Sequence, residues 1–159
     1  MMASLRAAWA RWSDADLMLL LRVFLFAIAV PALLRLKLAR LDRLLSRVPM
    51  GKRADPAKVR ALTRCVTIVL HRGQPLVRPG CLTRGLTLYY FLRRLGLDVD
   101  LCFGAGYRGA TFAAHCWLER GGEPFQEAGD PRQSFAEMYR LPGGAAGSAR
   151  TAQAAGLPR

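Results

Sequence analysis

The sequence contains few cysteines and few acidic residues, and both scarcities restrict what the protein can be. Its 159 residues include 24 lysine and arginine residues, 11 aspartate and glutamate residues and four cysteines: Cys65, Cys81, Cys102 and Cys116. Four thiols are too few for a disulfide-dense scaffold, and none of them forms the CxxC pair of a structural zinc site. We therefore expect reduced thiols in a cytoplasmic protein that uses no metal.

Nucleotide-binding signatures are also missing. Gly104, Gly106 and Gly109 do not form a GxGxxG fingerprint that opens a helix, and no P-loop occurs. The chain is therefore not expected to bind a dinucleotide or ATP itself. From Pro142 onward the sequence is mainly glycine, alanine and serine with scattered arginine, a composition that predicts a disordered tail over residues 142–159.

The excess of positive charge belongs mainly to the first half of the chain. The net charge is +13, with 15 basic and 4 acidic residues in residues 1–80 but 9 and 7 in residues 81–159. Such a surface attracts nucleic acid, anionic lipid or an acidic polypeptide. The basic stripe lacks interleaved aromatic residues, so nucleic acid is not an expected partner.

Residues 1–55 are predicted to form a hydrophobic, basic helical segment. Ser13 and Asp16 have the spacing of a capping box, and an apolar run follows from Leu17 to Leu34. Its longest charge-free stretch has 12 residues, fewer than the roughly 20 that cross a bilayer. After Pro31 a helical stripe of alternating four- and three-residue steps follows: Leu34, Leu38, Leu41, Leu45 and Val48. Since arginines occupy its other faces, this helix either packs on the core or lies on a membrane surface.

Residues 56–141 combine helices and strands, so the fold class is α+β. Asp55 and Pro56 are the N-cap and first residue of a helix that continues to His71, and a second helix extends from Cys81 to Gly96. Three strands are then predicted, over residues 98–103, 111–119 and 123–127, with a flexible turn at Gly104 to Gly109.

Cys81 and His115 are the two residues best suited to nucleophilic catalysis. Cys81 follows Pro79 and Gly80 and opens a helix, where free N–H groups and the helix dipole favour the thiolate and could hold an oxyanion. His115 in the second strand could act as base toward the thiol and as acid toward a leaving amine. A lone cysteine and a lone histidine are, however, more often packing residues. We expect the remaining three cysteines to be buried core residues, with Cys116 pointing away from His115.

A third catalytic group is predicted from the pairing of the last two strands. If the hairpin loop contains Arg120, Gly121 and Gly122, then Glu127 pairs with His115 and lies on the same face. A two-residue turn would instead place Gln126 and Ala128 there. Glu127 is the preferred acid, with Asp130 and Gln126 as alternatives.

The segment PGCLTRGLTLYYFLRRLGLDVDLCFGAG, followed by FAAHCWLERGGEPF, resembles the transglutaminase-like cysteine protease family that matures lasso peptides. That family has a cysteine at a helix start and a His-x-Trp-x-Glu strand, which here are Cys81 and the strand residues His115, Trp117 and Glu119. The resemblance covers residues 56–140. It implies a papain-like protease core with a small antiparallel sheet and a Cys-His-acid triad of Cys81, His115 and Glu127. The family's third residue is usually aspartate, so glutamate is a departure from its pattern.

The resemblance also implies a function and partners. The protein would be a cysteine protease that removes the leader from a ribosomally made precursor peptide, as part of antibiotic biosynthesis. It would need no cofactor itself and would act beside a separate leader-binding protein and an asparagine-synthetase-like cyclase that uses ATP. Residues 1–55 do not have the strand-rich pattern of a fused leader-binding domain.

Two other functions fit the same sequence. One is another acyl transfer on the same fold, such as an amidase or a peptide cross-linking activity. The other is a non-enzymatic, basic, membrane-associated scaffold, which would have an ordinary thiol at Cys81. A membrane-surface contact is compatible with any of these.

Overall fold

The computed structural model describes residues 13–46, 50–51 and 54–143, which form four α-helices and one four-stranded sheet. The helices are α1 (Asp14–Leu33), α2 (Leu38–Ser46), α3 (Pro56–Arg72) and α4 (Cys81–Arg94). The strands are β1 (Asp100–Arg108), β2 (Thr111–Arg120), β3 (Glu123–Phe125) and β4 (Phe135–Leu141), with a short 3₁₀ helix, Pro131–Gln133, before β4. The α+β class is confirmed. Residues 144–159 of the predicted disordered tail lie outside the described residues.

Side-chain caps define where α1 and α3 begin. The Ser13 hydroxyl accepts from the backbone N–H of Asp16, whose carboxylate accepts in return from the N–H of Ser13, so the predicted capping box is present. The Asp55 carboxylate accepts from the N–H of Ala57 at 2.8 Å. Both caps satisfy N–H groups that have no carbonyl partner in the first helical turn.

The stripe predicted from Leu34 to Val48 is wrong as one continuous helix. α1 continues through Pro31 to Leu33, a turn follows, and α2 begins only at Leu38. Leu41 and Leu45 are buried as the stripe predicts, whereas Leu34 is 39% exposed and Val48 lies outside the described residues. The proline is accommodated within the helix, so the break comes later than the sequence pattern indicates.

One hydrophobic cluster joins α1 to the helices that follow residue 55. Val23, Ala27 and Val30 on one face of α1 are at most 1% exposed, in the same cluster as Leu62 of α3 and Leu86 of α4. The predicted boundary at residue 55 therefore separates segments that pack on each other. Within the described part, α1 is also the helix long and apolar enough to cross a membrane, with 20 residues and a mean hydropathy of 2.2. A soluble core helix or a signal sequence can have the same length and composition.

The sheet has the order β3–β2–β1–β4, and each neighbouring pair is antiparallel. β1 continues through Gly104 and Gly106 to Arg108, so the predicted flexible turn at Gly104 is wrong. A Cβ atom at Gly104 would lie only 2.7 Å from the Trp117 ring, which shows that glycine is needed here for close packing. The strand β4 was not predicted.

The β2–β3 hairpin has a two-residue turn, so the predicted three-residue loop is wrong. Leu118 pairs with Phe125, and Arg120 pairs with Glu123. Gly121 and Gly122 have φ angles of 62° and 89°, the two positive values that a tight hairpin of type I′ requires and that glycine adopts without strain.

Candidate active site

Cys81 is the first residue of α4, and its half-buried thiol lies against β2. A hydrogen bond from the Cys116 thiol is the largest influence on it. Together with the backbone N–H of Cys116 and the side chain and charge of His115, this bond lowers the pKa of Cys81 from 9.0 to about 5, against the opposing effect of burial. The N–H groups of the first helical turn add positive potential at the same place. Cys81 is therefore a thiolate at neutral pH.

Cys116 is the donor in this pair. Its side chain is buried, and both the bond to Cys81 and burial raise its pKa, so it keeps its proton and donates it toward Cys81. Cys116 is buried, as predicted, and its contact with Cys81 is not among the sequence-based predictions. Strand alternation contains the necessary signal, since it directs Cys116 to the face opposite His115, where Cys116 packs against Gly85 of α4.

His115 lies in the middle of β2, opposite Gly104 of β1. Its ring packs between Phe135, with ring centres 5.2 Å apart, and Trp117, with ring centres 6.3 Å apart. Nε2 of His115 is 3.6 Å from Oε2 of Glu127. That separation is slightly longer than a hydrogen bond, and catalytic hydrogen bonds are often this long before substrate binds.

Glu127 lies beside His115 for a reason other than the predicted strand register. In the observed register a continued strand would direct Glu127 away from His115. Strand β3 ends at Phe125, however, and Gln126 has a φ of 59°, which breaks the alternation. The change of direction brings the Glu127 carboxylate beside the imidazole.

Arg84 holds the Glu127 loop, and sequence reasoning missed it. One guanidinium nitrogen donates to Oε1 of Glu127 at 2.7 Å, and the other donates to the backbone carbonyl of Gln126. Arg84 lies three residues after Cys81 on α4 and so shares its helix face. That spacing is a signal that the sequence does contain.

The two alternative third residues are engaged elsewhere. The Asp130 carboxylate caps the 3₁₀ helix and accepts from both the backbone and the guanidinium of Arg132 at 2.8 to 3.1 Å, which lowers the pKa of Asp130. The side-chain amide of Gln126 donates to the Thr63 hydroxyl at 2.7 Å. Of the three candidates, Glu127 is the one whose side chain lies beside His115.

The other two cysteines are buried, as predicted. Burial raises the pKa of Cys65 to about 11, and burial with the nearby Glu119 charge raises the pKa of Cys102 further. Both thiols stay protonated near neutral pH. The protein therefore has one activated thiol and three protonated ones, and the activated thiol is beside the histidine.

A second polar group lies farther along the sheet and is centred on Arg140. The Arg140 cluster consists of Arg140 and three carboxylates that pair with it: Asp100, Glu119 and Glu137. Donor atoms of Cys102, Glu119 and Glu137 lie within 4.8 Å of one another, as metal ligands would. The guanidinium already pairs with both glutamates, so the donor set fits an ion-pair network better than a cation site.

The fold and site together define an α+β protein built around a helix-start cysteine, a strand histidine and a carboxylate. Residues 24–140 match the family model of the transglutaminase-like superfamily, and the chain belongs to that superfamily. No curated protein and no solved structure matches the chain. The superfamily typically comprises cysteine proteases and acyltransferases, so the fold supports acyl-transfer chemistry. The match begins within α1 and thus includes the second half of the first helix.

Proposed function

We propose that the protein is the leader peptidase of a lasso-peptide pathway, a cysteine protease that separates the leader from the core of a ribosomally made precursor. The observation that carries this proposal is the half-buried Cys81 thiol, with its pKa of about 5, beside His115. A non-enzymatic scaffold would need no such thiol. The sequence resemblance to lasso-peptide proteases supplies the substrate class.

In the first step, the Cys81 thiolate attacks the carbonyl carbon at the leader–core junction. Backbone N–H groups at the start of α4 have no carbonyl one turn earlier and stabilise the oxyanion. A sulfur–carbon bond forms, the carbon–nitrogen bond breaks, and protonated His115 gives its proton to the departing amine. Glu127 orients the imidazole and stabilises its positive charge.

In the second step, neutral His115 takes a proton from water, and the resulting hydroxide attacks the thioester. The carbon–sulfur bond breaks, and the thiolate and protonated imidazole are restored; the leader leaves as a carboxylic acid, which loses its proton to the solvent. The balance is one water consumed for each peptide bond cleaved. The reaction needs no cofactor, and any dependence on ATP would come from the cyclase.

The proposed partners are the precursor peptide, a separate leader-binding protein and an ATP-using, asparagine-synthetase-like cyclase. The N-terminal helices α1 and α2 contain no strand-rich module in the described residues. In this proposal the separate protein recognises the leader, and the reaction takes place in the cytoplasm.

Mass spectrometry of the reaction products tests this function. We expect the protein, a lasso precursor and its leader-binding protein to yield two fragments whose masses sum to the precursor plus one water. Cys81→Ala should abolish the products, and Cys65→Ala should retain them. A product lighter than its substrates by one ammonia would indicate cross-linking instead, and an active Cys81→Ala variant would overturn the proposed chemistry.

A second proposal concerns where the protein works, and it rests on the uncovered face of α1. Five large apolar side chains recur there at helical spacing and are 36% to 57% exposed: Leu17, Met18, Leu21, Leu25 and Ile28. Arg22 is exposed on the same helix, and Arg35 and Lys37 follow its end. We propose that α1 contacts an anionic membrane surface, which would take the apolar stripe into its interface and attract the basic side chains.

Vesicle co-sedimentation tests the membrane contact. We expect binding to phosphatidylglycerol vesicles, weaker binding to phosphatidylcholine vesicles, and loss of both in a Leu21→Glu/Leu25→Glu variant. Met138→Glu is the matched control, since Met138 is 73% exposed on β4, away from α1. Equal binding by the α1 variant and the control would overturn the contact while leaving the peptidase proposal intact.

A further inference from the structure

The outer edge of β2 is uncovered along most of its length. Strand β3 pairs only with the last three residues of β2, so residues 111–117 have a neighbouring strand on one side alone. Among the described residues, the backbone groups on the free side of this segment make one hydrogen bond, from the N–H of Cys116 to the Cys81 thiol. The strand edge beside the candidate nucleophile is therefore open.

Two hairpins determine which backbone groups of β2 point to the free edge. The β1–β2 hairpin closes on the pair Arg108–Thr111, and the β2–β3 hairpin closes on Arg120–Glu123, each around a two-residue turn. In such a hairpin the closing pair exchanges hydrogen bonds, and the pattern then alternates along the strand. The odd-numbered residues of β2 therefore bond to β1, whereas the even-numbered residues direct their N–H and C=O groups to the side of β3.

The position of Cys81 supports this assignment independently. Cys116 is even-numbered, and its N–H bonds to the Cys81 thiol. The same thiol contacts the side chain of His115, which projects from the other face of the sheet, so Cys81 lies at the strand edge that both can reach. Ala114 and Phe112 are the next even-numbered residues, and both are exposed. Their N–H and C=O groups continue the open edge away from Cys81.

The composition of this edge is that of a binding surface rather than of a protected strand. Natural sheet edges that face solvent are usually shielded by lysine, proline or a β-bulge. The free segment TFAAHCW contains no lysine or proline, and its pairing with β1 is continuous. Phe112 also packs against Tyr107 of β1, with ring centres 5.7 Å apart, and the two residues are 64% and 68% exposed. An extended apolar chain would cover both the unpaired backbone and these rings.

We propose that the free edge of β2 at Phe112 and Ala114 binds the peptide substrate as an additional β-strand, and that Cys81 attacks a carbonyl carbon of this strand. The inference rests on the proposed peptidase function and deepens it, because it specifies how the substrate backbone is held. An added strand gains affinity from main-chain hydrogen bonds. A two-residue repeat spans about 7 Å, so the paired substrate residues lie within about two positions of the scissile bond.

Alkylating peptides test the added strand without a known precursor. One probe is an acetylated tetra-alanine chloromethyl ketone, whose residues precede the reacting group, and the other is N-iodoacetyl-tetra-alanine amide, whose residues follow it. Each alkylation rate at Cys81, measured by peptide mass spectrometry, is divided by the iodoacetamide rate, which reports the thiol alone. We expect this ratio to fall at least fivefold in an Ala114→Pro variant, for one probe or for both, because proline has no N–H at the free edge.

Ala114→Val is the matched comparison, because valine resembles proline in size and keeps the N–H. Ala114 does not bond to β1 through its N–H, so proline leaves that ladder intact. The ratio in Ala114→Pro should lie at least fivefold below the ratio in Ala114→Val. Equal ratios in the two variants for both probes would overturn the added strand. Slow iodoacetamide alkylation of wild-type Cys81 would instead contradict the activated thiol, and with it the proposed function, whatever the ratio.

N-methylated probes test the same contact on the wild-type protein, whether or not Ala114→Pro folds. Each methyl group removes one N–H from the peptide. An added strand bonds through every second residue, so we expect at least a fivefold loss of rate at alternate positions and less than twofold at their neighbours. A uniform effect, or none, would overturn the proposal. A wild-type ratio that falls as protein concentration rises would assign the edge to a second copy of this chain and would also overturn it.

Discussion

Two arginine–carboxylate groups contact side chains of one face of β2, at positions that are only four residues apart: Glu127 of the first lies beside His115, and the second includes Glu119. Strand alternation places His115, Trp117 and Glu119 on the same side. At the His115 end, Arg84 binds Glu127; at the Glu119 end is the Arg140 cluster. Trp117 lies between them, with its ring near His115 and its N–H donating to Glu119 at 3.0 Å.

The two groups differ in how completely their carboxylates are satisfied. Glu119 is 3% exposed, with Trp117 on one oxygen and Arg140 on the other. Glu127 has Arg84 on one oxygen, and its second oxygen faces His115 at 3.6 Å. A carboxylate that orients a histidine must keep an oxygen for it. These contacts favour a structural role for the Arg140 cluster and support the proposed role of Glu127 in orienting His115.

The largest expected effect is the difference in alkylation rate between Cys81 and Cys65. At pH 7 a thiol of pKa about 5 is almost entirely ionised, whereas one of pKa about 11 is about one part in 10⁴ thiolate. In the folded protein, iodoacetamide should therefore modify Cys81 at least a thousandfold faster than Cys65, as measured by peptide mass spectrometry. The Cys81 rate should be constant above pH 6 and fall tenfold per unit below pH 5, because protonation removes the nucleophile.

The Cys116→Ala variant is the control for the cause of that difference. It removes the largest influence on Cys81, so the midpoint of the rate profile should move upward from about 5 toward the ordinary value of 9.0. Cys102→Ala removes a buried thiol of the Arg140 end and should leave the midpoint unchanged. If the rate profile of wild-type Cys81 already had its midpoint near pH 9, the thiol would not be activated and the Cys81–His115 site would be contradicted.

The next largest effect concerns stability. Arg140→Met leaves the carboxylates of Asp100, Glu119 and Glu137 without their shared cation in a mostly buried setting. We expect the free energy of unfolding in urea to fall by about 3 kcal/mol. Arg132→Met is the matched control: it breaks pairs with Asp130 and Glu123 at the surface, where solvent screens the charges, and it should lower the free energy of unfolding far less. Equal losses of stability in the two variants would show that the Arg140 cluster contributes no more than a surface ion pair.

Glu127→Gln should have a large effect on the reaction rate and a small effect on stability, the reverse of what is expected for Arg140→Met. Loss of the charge beside His115 is expected to lower kcat about 100-fold, while the free energy of unfolding changes by less than about 1 kcal/mol. Glu123→Gln, on the exposed part of the same hairpin, should retain full activity. A Glu127→Gln variant with normal kcat would exclude Glu127 from the triad.

Much of this site could be predicted from local sequence. Cys81 is identifiable because glycine and proline precede it and an apolar helical pattern follows. His115 is identifiable from its place in a strand. The caps Ser13 and Asp55 set helix starts through contacts within three residues, which a sequence displays directly.

The rest depended on contacts between distant residues. The three-residue hairpin register that predicts Glu127 beside His115 is wrong. Glu127 lies there because Gln126 has a positive φ, which its residue type does not predict. Strand β4 was missed because its central residues Ala136 to Met138 are exposed and show no inward–outward alternation. Strand β4 is recognised in the structure by its pairing with β1 and by its contribution to the Arg140 cluster.

The smallest effect is expected from substitution of Trp117, which lies between His115 and the Arg140 cluster. Trp117→Phe keeps an aromatic ring near His115 but removes the N–H that satisfies Glu119. We expect a loss of about 1–2 kcal/mol in the free energy of unfolding, divided between the unsatisfied carboxylate oxygen and the smaller ring. Repeating the substitution in a Glu119→Gln background separates these contributions, because the coupling between the two changes measures the hydrogen bond. A coupling near 1 kcal/mol with kcat within twofold of wild type would place Trp117 with the Arg140 cluster. Negligible coupling with a tenfold loss of kcat would instead place it with His115, and the two ends of β2 would then be less separate than their contacts indicate.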